Sequence, residues 1–397
     1  MQLGLLFLAS SALLGGMLLL VSLALATWRK GLAAYCHDRL NRLLLVAAGL
    51  LLASSTQAVS GELAWWGLFN WLPLFWCFWG WQGYLETPEA RRRSIGWLVA
   101  GTVPVLVTGL GQMVGNWQGP WSMAADLVIW HMDQGGNPIG RLSGLFDYAN
   151  ITAAWLALTW PLLLACLLQK PLGWRKRTLV LVLTVLQGLC LWLTASRNAW
   201  ATALVALPLV MGPGAWVWLL PLLLLALLPV GFAILPGIPE GLQELARAVV
   251  PDSLWQRLTD QAFPHRPVGT TRLSQWLVAG QLVLERPWLG WGASAFGTLY
   301  FSQSGFFHGH PHNLPMDLAL SFGLPAALLV LAVPVWVTVV ALGRGMATAG
   351  LADRSWLAAF LLLAAIHGTD LPYYNDRINI VGWFLLAGIR AYSLKAG

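Results

Sequence analysis

Eleven apolar stretches separated by short polar segments restrict the folds open to this chain more than any other feature. They lie near 3–26, 43–60, 63–85, 95–115, 149–169, 178–195, 199–211, 215–236, 314–342, 355–369 and 378–394. Most approach the roughly 20 residues that a helix needs to cross a hydrocarbon core about 30 Å thick. Within a bilayer every backbone N–H and C=O must find its partner inside the protein, which makes the helix the solution for such runs. Composition agrees. Of 397 residues, 58% are hydrophobic and only 10% charged, against about 25% charged in an ordinary soluble protein. A soluble globule, a disordered chain, a collagen and a disulfide scaffold are all excluded. The chain reads as an all-α polytopic membrane protein with about 11–12 transmembrane helices. The run from Leu3 to Ala26 lacks a basic n-region and a cleavage site and reads as a retained first span.

The 23 Lys and Arg residues set an orientation. Fifteen fall on one side, among them Arg29, Lys30, Arg91, Arg92, Arg93, Arg175, Lys176, Arg344 and Arg390. Eight fall on the other: Arg141, Arg197, Arg247, Arg257, Arg266, Arg272, Arg286 and Arg377. The richer side is cytoplasmic by this rule. All eight on the far side are arginine, whose planar fork suits phosphate and carboxylate. The net charge of +7 is dispersed between spans and points to topology, with no nucleic acid as partner. Cys36, Cys77, Cys166 and Cys190 have no metal-type or disulfide spacing. The chain divides into an N-terminal bundle over 1–236 with a far-side loop near 116–148, a large far-side loop over 237–313, and C-terminal helices over 314–397. Two amphipathic helices are expected in the large loop, near 239–249 and 271–285, lying along the membrane interface.

Four far-side features can carry chemistry. Thr194-Ala195-Ser196-Arg197-Asn198-Ala199-Trp200 sets Arg197 between two apolar runs. A charge at the membrane edge is either a functional group or an arginine reaching to headgroups. Arg272 is followed by Pro287-Trp288-Leu289-Gly290-Trp291-Gly292, whose glycines allow tight turns or close approach to a ligand. Its bland counterpart is an amphipathic helix and a solvated arginine. His308-Gly309-His310-Pro311-His312-Asn313 stands at the mouth of the 314–342 span. Zinc, helix capping and general-base work all remain open there. An imidazole titrates near neutral pH, which favours the base over the metal. Gly140-Arg141-Leu142-Ser143-Gly144 leads to Asn150, adding an anion contact and a hydrogen-bonding amide. A weaker fifth feature is the loop with Asp370, Tyr373, Tyr374, Asp376 and Arg377. No Walker or GxSxG element is present, and neither a cofactor nor a metal is expected.

In these residues the chain resembles the O-antigen ligase superfamily, which includes O-antigen polymerases and protein O-oligosaccharyltransferases. The likeness lies in the TASRNAW stretch around Arg197, in Arg272 with its P-x-x-G-x-G, in GRLSG leading to Asn150, and in His312-Asn313 followed by Gly323. It covers roughly 140–330. Three residues after Gly323 the ligase pattern often has Gly or Thr, where this chain has Ala326. The resemblance implies a lipid-sugar glycosyltransferase (GT-C-like) architecture in the bacterial inner membrane, with its active site facing the periplasm. It implies transfer of a glycan from undecaprenyl diphosphate to an acceptor such as lipid A-core. Arg197 and Arg272, joined by Arg141, are then expected to bind the donor diphosphate. His312 is the expected catalytic residue, and Asn150, Asn313 and Tyr374 are candidate sugar or acceptor contacts. Trp117, Trp276, Trp288, Trp291 and Tyr300 are candidates for stacking on sugars. The alternatives are a polysaccharide polymerase of the same superfamily and, from another class, a small-anion transporter. A transporter would hold polar residues at the bilayer midplane on broken helices.

Overall fold

The structure is a computed structural model. It describes residues 1–259, 261 and 265–395, and the side chains of Ser253 and Arg257 stand outside that description. The described chain is helical almost throughout. In order the helices are α1 (Gln2–Leu8), α2 (Ala12–Lys30), α3 (Arg39–Thr56), α4 (Glu62–Gly67), α5 (Leu72–Trp81) and α6 (Pro88–Val114). A short antiparallel hairpin follows, β1 (Trp121–Met123) with β2 (Val128–Trp130). Then come α7 (Ala149–Leu168), α8 (Trp174–Leu193), α9 (Arg197–Met211) and α10 (Pro213–Ile234). The large loop holds α11 (Glu240–Val249), α12 (Asp252–Leu258), α13 (Arg272–Glu285) and α14 (Phe296–Ser304). Last are α15 (Leu314–Gly343), α16 (Leu351–His367) and α17 (Asp376–Lys395).

Helix forms in all eleven apolar stretches, and this is a multi-pass membrane protein. Among the described residues, six helices are long and apolar enough to cross a membrane: α2, α6, α7, α8, α10 and α15. The others fall short for local reasons. The 15 residues of α9 span roughly 22 Å, less than a hydrocarbon core. The 63–85 stretch breaks at Asn70–Trp71 into α4, a 3₁₀ turn and α5.

The expected single span over 3–26 is also two helices. Ser11 stops it. Its hydroxyl accepts from the Leu14 N–H at 3.1 Å, capping α2, and donates to the Leu127 carbonyl at 2.9 Å. Glycine lets α1 lie flat on its neighbours. A Cβ on Gly15 would stand 2.5 Å from Leu8 Cα, and one on Gly101 of α6 would stand 2.6 Å from the Leu6 carbonyl.

α7 lies at the centre, with 14 of its 20 residues buried, and packs against α6, α8, α9 and α16. Trp155 of α7 is fully buried and donates to Thr102 Oγ1 of α6 at 3.1 Å. α15 packs along α3, α13 and α17, and one continuous core reaches from Leu5 to Ala391. α10 stands at the periphery with residues such as Val217, 84% exposed, facing outward. Such a surface is unfavourable in water and natural against lipid.

Arg91, counted among the interfacial cations, is 1% exposed. It joins α6 to α16 through Asp353 at 2.6 Å, while its Nη1 donates to the Leu85 and Glu86 carbonyls. Only Arg92 and Arg93 of that triplet face outward.

α15 is broken at Gly323, whose φ of 83° and ψ of 163° lie outside the helix. The segment after α13 fills the break. Trp291 N–H donates to the Leu320 carbonyl at 2.8 Å, Gly292 N–H to Ser321 at 2.8 Å, and Leu324 N–H to Pro287 at 2.7 Å. Ser54 of α3 adds a bond to the Ser321 carbonyl at 2.8 Å. A Cβ on Gly323 would meet the Trp288 carbonyl at 2.2 Å, and one on Gly290 the Leu320 carbonyl at 2.5 Å. Of the expected tight turns or close approach to a ligand, the structure shows left-handed turns at both glycines, with Gly290 packed close on α15 and Gly292, whose Cβ would stand 2.2 Å from Ala58 Cβ, on the segment just after α3.

Candidate active site

The starts of four helices meet at one end of the bundle. Tyr148 precedes α7, Ser196 precedes α9, Thr271 precedes α13 and Asn313 precedes α15. Unpaired N–H groups and the positive end of the helix dipole make such a convergence favourable to anions. Between them lies a cavity of about 870 Å³, lined among others by Arg141, Asn150, Arg197, Arg272, His308 and His312.

Each arginine is held by local structure. Gln112 of α6 fixes the Arg141 loop. Its Oε1 accepts from the Ser143 and Gly144 N–H groups at 3.0 and 2.7 Å. Its Nε2 donates to the Asp133 carbonyl at 2.8 Å. Arg141 Nε then donates to the Thr194 carbonyl at 2.8 Å, binding this loop to the Arg197 corner. There Ala195 takes a left-handed φ of 49° and Arg197 becomes the first residue of α9. Trp200 closes the corner by stacking on Trp192, ring centres 5.0 Å apart, and by donating to the Leu191 carbonyl. Arg272 is the first residue of α13, capped by Thr271, whose hydroxyl accepts from the Ser274 N–H.

The histidine run supplies the opposite wall. His312 has a φ of 53°, a left-handed conformation uncommon outside glycine. Such backbone persists where its surroundings over-determine it, often at functional sites. His312 Nδ1 is 2.8 Å from Asp370 Oδ1. A carboxylate acceptor keeps the proton on Nδ1 and leaves Nε2 to act as a base. Asp370 Oδ2 accepts from Asn150 Nδ2 at 3.2 Å and lies 3.6 Å from Arg272 Nη2. Asn150 Oδ1 in turn accepts from Arg141 Nη2 at 2.5 Å. Asp370 thus joins the arginine wall to the histidine. Burial works against its charge, but the His312 hydrogen bond and the His312 and Arg272 charges outweigh burial and hold the carboxyl at about 2. Burial, and then the neighbouring His312, pushes the His310 imidazole down to about 4.

Five predicted residues line the cavity: Arg141, Asn150, Arg197, Arg272 and His312. Two do not. Asn313 caps α15, accepting from the Met316 N–H at 3.0 Å, and donates to the Gly368 carbonyl at 2.9 Å. Tyr374 donates to Asp317 and packs behind His310. The five aromatic candidates also lie off the cavity wall. Trp276 donates to the Pro311 carbonyl, Tyr300 to the Gly269 carbonyl and Trp291 to the Leu282 carbonyl, so these three serve packing. The sequence placed Asp370 in the weaker fifth feature, as a carboxylate suited to sugar hydroxyls, and did not pair it with His312. It sits 58 residues from His312 in a loop with other polar residues, and only the fold distinguishes it. Among the described residues no three His, Cys, Asp or Glu are grouped as a metal site requires.

A family model described as O-antigen ligase matches residues 179–331, from α8 to the middle of α15. That stretch is similar to the O-antigen ligase family, in line with the resemblance in its motifs. Within it fall Arg197, Arg272, His312 and the Gly323 break, whereas Arg141, Asn150 and Asp370 complete the cavity from outside the matched stretch. No curated protein matches the chain. The match supports an enzyme of the membrane glycosyltransferase type, with a lipid-linked glycan and an acceptor as the general partners.

Proposed function

We propose that this protein transfers a glycan from undecaprenyl diphosphate to lipid A-core, at the periplasmic face of the bacterial inner membrane. The observation that carries the reading is the cavity with arginines at converging helix starts on one wall and the His312–Asp370 pair on the other.

The acceptor hydroxyl oxygen attacks the anomeric carbon while the bond from that carbon to the diphosphate oxygen breaks. The electron pair leaves with the diphosphate, which gains one negative charge. Arg141, Arg197, Arg272 and the helix starts stabilise that charge in the low-dielectric site. His312 Nε2 takes the hydroxyl proton, and Asp370 stabilises the imidazolium that forms. A single displacement inverts the anomeric centre and asks nothing of a metal. A transporter would hold its polar groups at the midplane. Here the lining residues belong to helix starts and loops at one end, and the break in α15 is filled by backbone.

The test is purified protein in detergent with an undecaprenyl diphosphate-linked glycan and lipid A-core. Glycan-bearing lipid A-core, formed equally well in the presence of EDTA, is the expected product. A longer glycan still on undecaprenyl diphosphate would make the protein a polymerase instead. Loss of activity in EDTA with rescue by zinc would turn the histidine run into a metal site.

A further inference from the structure

Asp317 lies in the first turn of α15, 1% exposed, and its partners are two phenols in place of a cation. Its Oδ2 accepts from Tyr373 at 2.6 Å and from Tyr374 at 3.0 Å. A buried carboxylate is costly unless it is well held, and this one stands directly behind the site.

From Asp317 a run of contacts leads to His312. Tyr373 and Tyr374 stack with ring centres 4.3 Å apart. Tyr374 lies nearly parallel to His310, 5.4 Å away at 15°. His310 meets His312 edge-on at 4.4 Å and 76°, and its Nδ1 accepts from the His312 backbone N–H at 3.4 Å. The left-handed backbone and the imidazole of His312 therefore rest on His310, His310 on Tyr374, and Tyr374 on Asp317. Burial and the Asp317 charge push the Tyr374 phenol well up, so it remains a donor. The depressed His310 stays neutral beside a His312 that gains a proton.

We propose that Asp317 is a positioning residue for His312, acting through Tyr374 and His310. The proposal rests on His312 being the base of the proposed transfer. A mispositioning of about 1 Å can cost about 10²-fold in rate without loss of substrate binding. Asp317→Ala is expected to lower kcat by about 10–100-fold at unchanged affinity for undecaprenyl diphosphate. Tyr374→Phe keeps the ring and loses one hydrogen bond, so a fall of about 3–10-fold is expected. His310→Phe, which keeps a ring against Tyr374, should recover part of what His310→Ala loses.

The deciding experiment is a double-mutant cycle in detergent, with Asp317→Ala and Tyr374→Phe each made in the wild type and in His312→Ala. Should Asp317→Ala fail to fold, the Tyr374→Phe cycle decides. In the His312→Ala background neither change should lower kcat further. Equal losses in both backgrounds, or parallel losses of kcat and donor affinity, would overturn the positioning role and leave His312 as the base. A His312→Ala protein with undiminished kcat would bring down the base assignment, and the positioning role with it.

Discussion

Two arginine–aspartate pairs stand at opposite ends of α16, and they differ in nearly every respect. Arg91–Asp353 is closed at 2.6 Å, with side chains 2% and 6% exposed, and Arg91 has backbone carbonyls as further partners. Arg272–Asp370 is open at 3.6 Å, with side chains 33% and 15% exposed, and Arg272 lines the cavity. The first pair is satisfied and ties helices together. In the second, the aspartate is committed to His312 and Asn150, while the arginine meets it at the margin of contact and still faces the space a ligand would occupy. Arginine and aspartate in an apolar chain thus serve as a strut or as a site according to how completely the fold pairs them.

The comparison is broken most sharply by exchanging the aspartates. Asp370→Asn should lower turnover by about 10²–10⁴ with folded yield retained, because His312 loses the partner that fixes its tautomer. Asp353→Asn should leave turnover per folded molecule unchanged. Removing a buried partner costs about 3–5 kcal/mol, so the yield of folded protein should fall. Turnover lost at Asp353, or folding lost at Asp370, would erase the distinction.

The arginines sharpen it next. Arg272→Ala should reduce turnover by about 10²–10³ and weaken binding of undecaprenyl diphosphate, with partial recovery in Arg272→Lys. Arg91→Ala should leave donor affinity intact while lowering the thermal midpoint.

A pH series gives a smaller effect with a defined sign. The folded value of Asp370, about 2, lies below the ordinary 3.8. Its contribution to stability is therefore fully present above about 4 and lost as pH falls towards 2. The difference in thermal midpoint between wild type and Asp370→Asn should be constant from pH 5 to 8 and shrink near the acid end. A difference that stays constant down to pH 2 would mean that the fold does not hold Asp370 below its ordinary value.

The smallest change expected is Asn313→Ala, which removes a helix cap worth about 1 kcal/mol and should leave donor affinity intact.

Much of this was legible in the sequence because charge is costly in an apolar chain. Arg141, Arg197, Arg272 and His312 stand out wherever hydropathy is read, and the fold brings them to one cavity. Asn150 followed from its place at the start of a span. What hydropathy cannot read is pairing. Asp370 looks like any loop carboxylate until His312, Asn150 and Arg272 converge on it. Asn313 and Tyr374 carry the polar groups that a sugar site needs, yet those groups are taken by a helix cap and by Asp317. The break between α1 and α2 turns on one serine and a glycine contact, too slight to interrupt an apolar average. The hairpin at 121–130 lacks the Asn-Gly turn that announces such ribbons and uses left-handed Ala124, Ala125 and Asp126.

The filled break at Gly323 fixes the spelling of the chain as well as its shape. Arg272 opens α13, and the residues after that helix dock backbone to backbone inside α15, eleven residues beyond His312. Inserting or deleting a single residue within α13 would turn Arg272 by about 100° relative to the docked segment. No side-chain substitution could restore it, since peptide groups make the joint. Between Arg272 and Gly323 the protein can exchange many letters, but within α13 it cannot change their number.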